Sequence, residues 1–133
     1  MYIKRAFYEN EIKNGLKSVP IVILSGPRQV GKTTLMDNLN LEEKTIRFNG
    51  QIIETASIFQ SYTVLKEYLT KNFNKNLEGI ILIDEFQYLN NISTILKILV
   101  DENKNIKVLC TGSSSLQINQ QVDESLEIGR ASC

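Results

Sequence analysis

The chain has 133 residues, long enough for one domain with a core of its own and too short for two. Lysine plus arginine and aspartate plus glutamate number 15 each, so net charge gives no drive towards nucleic acid or an acidic membrane, and the absence of histidine removes histidine bases, triads and metal sites. Two cysteines build no disulfide framework, and neither a signal-peptide core nor a run of membrane-span length is present, which together point to a cytoplasmic domain.

Between residues 2 and 16, Ile3, Ala6, Phe7, Ile12 and Leu16 fall on a helical stripe among charges, so an N-terminal helix packed on the following domain is expected. Residues 19–24 (VPIVIL) read as a strand buried on both faces, with Pro20 tolerated at its start. It runs into residues 24–34, LSGPRQVGKTT, and a helix is expected from Lys32 to about Asn40. Residues 43–48 (EKTIRF) alternate polar and apolar, as a half-exposed edge strand does, and Asn49 with Gly50 forms the turn that closes it. Ile58, Tyr62, Leu65, Leu69 and Phe73 recur at steps of three and four, which predicts one long amphipathic helix over residues 54–73. A second fully apolar strand, residues 80–83 (IILI), leads directly into Asp84 and Glu85. Ile92, Ile95, Leu96, Leu99 and Val100 mark the next helix, and residues 106–110 (IKVLC) a fourth strand delivering TGSSS at its carboxyl end. Cys110 reads as a small buried hydrophobe. After Leu116 the chain is polar and predicts no definite element.

Strands alternating with helices imply a three-layer α/β fold with a mainly parallel sheet and helices on both faces. Ligands in such sheets bind beyond the carboxyl ends of the strands. The glycine-rich loop, the Asp84 and Glu85 pair, and the segment from Thr111 all fall at such ends, so three polar clusters meet on one rim.

The loop carries the chemistry. Gly26, four residues, then Gly31, Lys32 and Thr33 is the spacing of a phosphate-binding P-loop. The glycines let the backbone turn its N–H groups around phosphate oxygens, and the helix start adds its positive end. Lys32 would reach the β- and γ-phosphates, and the Thr33 hydroxyl would ligate magnesium. The plain alternative is a glycine-rich turn between two elements. Gly26, Pro27, Arg28, Gln29, Val30, Gly31, Lys32, Thr33 and Thr34 are the expected nucleotide-contacting residues, although Arg28 is explained equally by solvation. Asp84 ends an apolar strand, where a carboxylate is costly unless it meets a cation, and magnesium would supply one. Glu85 points elsewhere and would polarise a water for attack on the γ-phosphate; the plain alternative is that the pair begins a solvated loop. Thr111 and Ser113 fit either a γ-phosphate contact or ordinary turn chemistry. Asn49 is explained by its turn, and Arg130 by either a charge-stabilising role or a frayed tail.

Both Asn-Lys pairs, at Asn74 and Asn103, lack the aspartate of a guanine-reading motif, and Glu85 beside Asp84 argues for hydrolysis, so ATP is expected over GTP. In order and spacing, GPRQVGKTTL, ILIDEFQYL and VLCTGSSSL resemble the prokaryotic AAA-type ATPase family whose members join this domain to a C-terminal domain of unknown function. The resemblance spans residues 1 to about 130. It implies that Lys32 and Thr33 hold nucleotide and magnesium, that Asp84 is the acidic metal-site residue, that Glu85 is the catalytic carboxylate, and that Thr111 to Ser113 is the sensor segment. Gly129 and Arg130 are similar to a family Gly-Arg pair but sit further from Ser125 and Leu126. The family's sheet order, 5-1-4-3-2, places a fifth core strand beside the first. No such strand is legible here, so the chain reads as a fragment whose P-loop strand is a bare edge open to pairing with another chain.

The whole chain, 1–133, is thus expected to be a single P-loop ATPase core: a helix over residues 1–18, a nucleotide-binding core over 19–118 and a tail over 119–133. Its expected function is ATP binding and magnesium-dependent hydrolysis coupled to a protein partner; the alternative is a nucleotide-dependent switch module without significant turnover. A DNA-associated ATPase is the third reading, and charge does not favour it.

Overall fold

The computed structural model describes residues 2–26, 41–113 and 127–131. In chain order the elements are helix α1 (Tyr2–Ser18), strand β1 (Ile21–Gly26), β2 (Thr45–Asn49), α2 (Ile53–Ile58), α3 (Tyr62–Asn72), β3 (Gly79–Asp84), a short 3-10 turn (Phe86–Tyr88), α4 (Ile92–Glu102), β4 (Ile106–Ser113) and β5 (Glu127–Ala131). The strands form one sheet in the order β2-β3-β4-β1-β5. β1 to β4 run parallel to their neighbours, whereas β5 pairs with β1 antiparallel.

Period-two alternation divides the strands between two cores, because successive side chains leave a strand on opposite faces. Ile21, Phe48, Ile81, Ile83, Ile106, Val108 and Cys110 pack with Leu65 and Leu69 of α3 and with Ile95, Leu96 and Leu99 of α4. Val22, Leu24, Ile80, Leu82 and Leu109 instead meet Ile12 and Leu16 of α1. Helices therefore cover both faces, and β3 is buried along its full length as its uninterrupted apolar run predicted. β2 alternates from exposed to buried, as expected of the strand at a sheet edge. Burial raises the Cys110 thiol to about 12, so it stays protonated and packs as a hydrophobe. Among the described residues no helix is long and apolar enough to cross a membrane.

Two expectations change. The single helix expected over residues 54–73 is two, α2 and α3, because Phe59 leaves the helical path and Ser61 starts a new one. Phe59 is buried, with its ring 5.0 Å from that of Phe48 in an edge-to-face contact, a geometry that adds about 1 kcal/mol to its apolar burial. The Ser61 hydroxyl accepts from the Val64 N–H at 3.2 Å, an N-cap of the kind that stabilises a helix by about 1 kcal/mol. The stripe of apolar residues survives the break, since both helices share one core.

The second change is at β1. No parallel fifth strand lies beside it among the described residues, but the edge is not bare: Val22 pairs with Arg130 and Leu24 with Ile128 in the antiparallel ladder with β5. Part of the segment read as a tail thus closes the sheet in the position the 5-1-4-3-2 order assigns, with the opposite direction. Self-association through an open β1 edge is thereby withdrawn, because its backbone groups on that side already have partners.

Candidate functional site

Register puts the chemistry in one row at the carboxyl ends of the strands. Asn49 of β2 lies opposite Asp84 of β3, Ile83 opposite Cys110, and Thr111 of β4 opposite Leu24 of β1. One step further, Ser113 lies opposite Gly26, where the expected P-loop begins. The same alternation that sorts the cores aims Asp84, two residues after Leu82, and Thr111, two after Leu109, to the α1 side of the sheet. Arg47 lies between Ile46 and Phe48, which both face the other core, and so falls on that side as well.

Those three side chains meet. Asp84 is 7% exposed, and its Oδ2 accepts from Arg47 Nε at 2.8 Å and Nη2 at 2.6 Å. The Thr111 hydroxyl donates to Asp84 Oδ1 at 3.1 Å and accepts from the Glu85 N–H at 3.3 Å. A buried carboxylate was expected to require a cation, and in this structure the cation is the Arg47 guanidinium. Sequence reading missed Arg47. The alternation in EKTIRF marks its face, but its partner lies 37 residues away.

Glu85 follows on a left-handed backbone, φ 52° and ψ 49°. A residue with a Cβ adopts this region at a cost of about 1–2 kcal/mol, and such strain gathers at functional sites. Three contacts hold it there. Its N–H is bound by Thr111, its carbonyl accepts from Tyr88 N at 3.3 Å, and its Oε1 accepts from Gln87 Nε2 at 2.8 Å. Gln87 was not singled out in the sequence; its own Oε1 is buried without a hydrogen-bond partner among the described residues. Gly112 lets this turn approach β4, since a Cβ there would lie 2.8 Å from the Phe86 ring and 3.0 Å from Gln87 Oε1.

Gly50 also presses on the same backbone. Its N–H donates to the Asp84 carbonyl at 2.7 Å, and a Cβ on it would lie 2.3 Å from the Glu85 carbonyl oxygen. Asn49 is held by the turn, its Oδ1 accepting from Gln51 N at 2.9 Å, so its plain reading stands. Gly50→Ala is expected to destabilise the fold by about 2–3 kcal/mol, because the obstructing atoms are backbone and cannot rotate away. Urea denaturation of the two proteins measures this; a change below about 0.5 kcal/mol, the scale of ordinary surface substitutions, would show that the contact yields easily.

Of the expected site residues, the structure brings Asp84, Glu85 and Thr111 together and places the backbones of Gly26 and Ser113 beside them. Pro27, Arg28, Gln29, Val30, Gly31, Lys32, Thr33 and Thr34 lie outside the described residues. Arg130 is placed only by its backbone, opposite Val22. As for a metal, no cluster of three or more His, Cys, Asp or Glu is present among the described residues. Magnesium on a nucleotide takes one or two carboxylates and completes its shell with phosphate oxygens and water. Asp84, a hard oxygen donor whose charge Arg47 balances in this structure, is a carboxylate of that kind. A cavity of about 430 Å³ lined by Lys13, Leu16, Lys17, Leu41, Glu42, Glu43, Ile80 and Lys107 lies at the opposite, amino ends of the strands and shares nothing with this cluster.

A family model described as an AAA domain matches residues 18–132. Uncharacterized protein Rv2008c of Mycobacterium tuberculosis and uncharacterized protein Mb2031c of Mycobacterium bovis are each 28% identical over 128 residues, covering 95% of this chain and 27% of the relative. The chain thus spans about a quarter of the length of these curated relatives. Among solved structures, the Walker-type ATPase PABY2304 of Pyrococcus abyssi matches with a TM-score of 0.58 at 18% identity, over 81% of this chain and 44% of that one. At that identity the match speaks for the fold.

Proposed function

Because the chain belongs to this family of AAA domains, we propose that it binds ATP with magnesium through residues 26–34 and hydrolyses it. The observation that most supports this reading is the rim itself. A buried carboxylate, a strained glutamate and a bridging threonine converge beside the strand end that leads into Gly26. In this reading Lys32 holds the β- and γ-phosphates, Thr33 and Asp84 hold the metal, and Glu85 takes a proton from the attacking water. When bound, the metal would supply neutralisation of the charge on the phosphate oxygens. Thr111 acts from the carboxyl end of β4, where one hydroxyl ties the metal carboxylate to the backbone of the general base, and Ser113 is the second polar residue of that segment. Turnover would serve the movement or remodelling of a protein partner, in a reducing cytoplasm that suits the free Cys110.

The test is titration of ATP into the protein with magnesium and with EDTA, followed by phosphate release from the same samples. Magnesium-dependent binding with release is the expected result. Binding without release would replace the ATPase reading by a nucleotide-dependent switch, and no binding would refute the P-loop assignment.

A further inference from the structure

The cavity at the amino ends of the strands is a second place where charge gathers in this fold. Its volume of about 430 Å³ falls within the range of small-molecule sites, roughly 300–1,000 Å³. Ile80 and Lys107, register partners on β3 and β4, form one wall. Four residues of strand separate Ile80 from Asp84, about 13 Å, so the cavity is remote from the rim. Its floor is the margin of the second core, where Leu16 and Ile80 are buried and Leu41 packs alongside. Lys107 lies between Ile106 and Val108, which face the other core, and so shares its side of β4 with Leu109. A lysine thus stands where an apolar side chain would have continued the packing.

Lys13 lines the same space from α1, one turn before Lys17, and like charges at that spacing weaken a helix. Lys17 lies in the last turn, where the negative end of the helix balances it. Lys13 and Lys107 are half-buried and have no such compensation. Glu42 and Glu43 line the cavity too, yet among the described residues no ion pair or hydrogen bond engages the side chain of Lys13, Lys107 or either glutamate. The charges surround a gap and do not close it. A lysine stem covering apolar surface with its ammonium in water accounts for either lysine alone. It does not account for two unmatched ammoniums over one apolar floor, beside carboxylates that they do not meet.

We propose that this cavity binds a small organic anion with an apolar body. A carboxylate or phosphate group is held by the Lys13 and Lys107 ammoniums, and the body lies over Leu16, Leu41 and Ile80. Glu42 and Glu43, at the exposed margin, disfavour a polyanion and can accept from a donor on the ligand. The site stands apart from the nucleotide reading.

The test uses anilinonaphthalene sulfonate, whose sulfonate stands in for the carboxylate or phosphate, and its uncharged analogue phenylnaphthylamine. Each is titrated into the full chain without ATP or magnesium, and binding is followed by dye fluorescence and by the backbone amide resonances. The sulfonate is expected to bind and to shift the amides of Lys13, Leu16, Ile80 and Lys107 while leaving those of Asp84 and Thr111 in place. The uncharged analogue is expected to bind at least about tenfold more weakly, as are Lys13→Gln and Lys107→Gln to the sulfonate, the worth of one charge-assisted contact. Lys104→Gln makes the same charge change on an exposed residue outside the cavity and is expected to leave affinity unaltered. Melting temperatures without dye report that each variant is folded, and the comparison of the two dyes on the wild type needs no variant. Equal binding of the uncharged analogue, an equal loss in Lys104→Gln, or unchanged affinity in the folded glutamine variants overturns the inference. So do amide shifts confined to the rim or spread over the whole chain, and so does a folded wild type that binds no sulfonate. The nucleotide reading is untouched by any of these results.

Discussion

Lys32→Ala is expected to abolish measurable ATP binding, a loss on the order of a hundredfold or more in affinity. In a P-loop the backbone N–H groups and the lysine share the phosphates, and of these only the lysine brings a full positive charge from the protein to the β- and γ-oxygens. Removing it leaves negative oxygens short of one positive charge, and contacts of this kind are worth several kcal/mol where water is excluded. The readout is the thermal shift with ATP and magnesium. A ligand at about a hundred times its Kd stabilises a protein by about 2.7 kcal/mol, so the wild type should melt higher with ATP and the variant should not. Without ATP the two should melt alike. Lys32 lies outside the described residues, and the assignment rests on the GPRQVGKTT spacing and the AAA-domain match over residues 18–132. Full ATP binding by Lys32→Ala would remove that assignment.

The second large effect is expected at Glu85. Glu85→Gln should reduce phosphate release by roughly a hundredfold to ten-thousandfold, the usual contribution of a positioned general base, with ATP affinity retained. The substitution is well matched to its surroundings. An amide oxygen can accept from Gln87 Nε2 where the carboxylate Oε1 now does, and Glu and Gln meet the same left-handed backbone at this position. Stability should therefore change little, and a loss of turnover would report chemistry. Phosphate release from single-turnover mixtures, with binding measured alongside, separates the two quantities. Equal release by Glu85→Gln and wild type would mean that Glu85 does not take the proton. Absence of release from both, with binding intact, would favour the switch.

These expectations could be drawn from the sequence because their signals are local. The uninterrupted IILI ahead of Asp84 and Glu85, the alternation in EKTIRF and the glycine spacing after VPIVIL are all patterns of a few neighbouring residues. They foretold a strand buried along its whole length, an edge strand, and acidic residues at a strand end. The stripe from Ile58 to Phe73 was also read correctly as one apolar face. Its continuity was not, because a helix that stops at Phe59 and restarts at Ser61 keeps that periodicity. The aromatic contact with Phe48 that draws Phe59 inward is made to a residue on another element.

Residues 127–131 carry no such local signal. EIGRA is short, carries two charged residues and is interrupted by glycine, and it is a strand because β1 offers it a ladder. A bare β1 edge was accordingly expected, and the structure covers it. Likewise, a carboxylate after IILI announces that it needs a cation, but not which one.

The order of amino acids thus settled on its own the α/β class, the sequence of the first four strands and the identities of Asp84, Glu85 and Thr111 as rim residues, because hydrophobic period and strand-end position are written in adjacent positions. Only the tertiary structure decided that Arg47 neutralises Asp84, that Gly50 and Gly112 admit the strained turn, and that β5 closes the sheet antiparallel. Those are pairings between segments distant in the chain, chosen by register and close packing, and no window of neighbouring residues contains both partners.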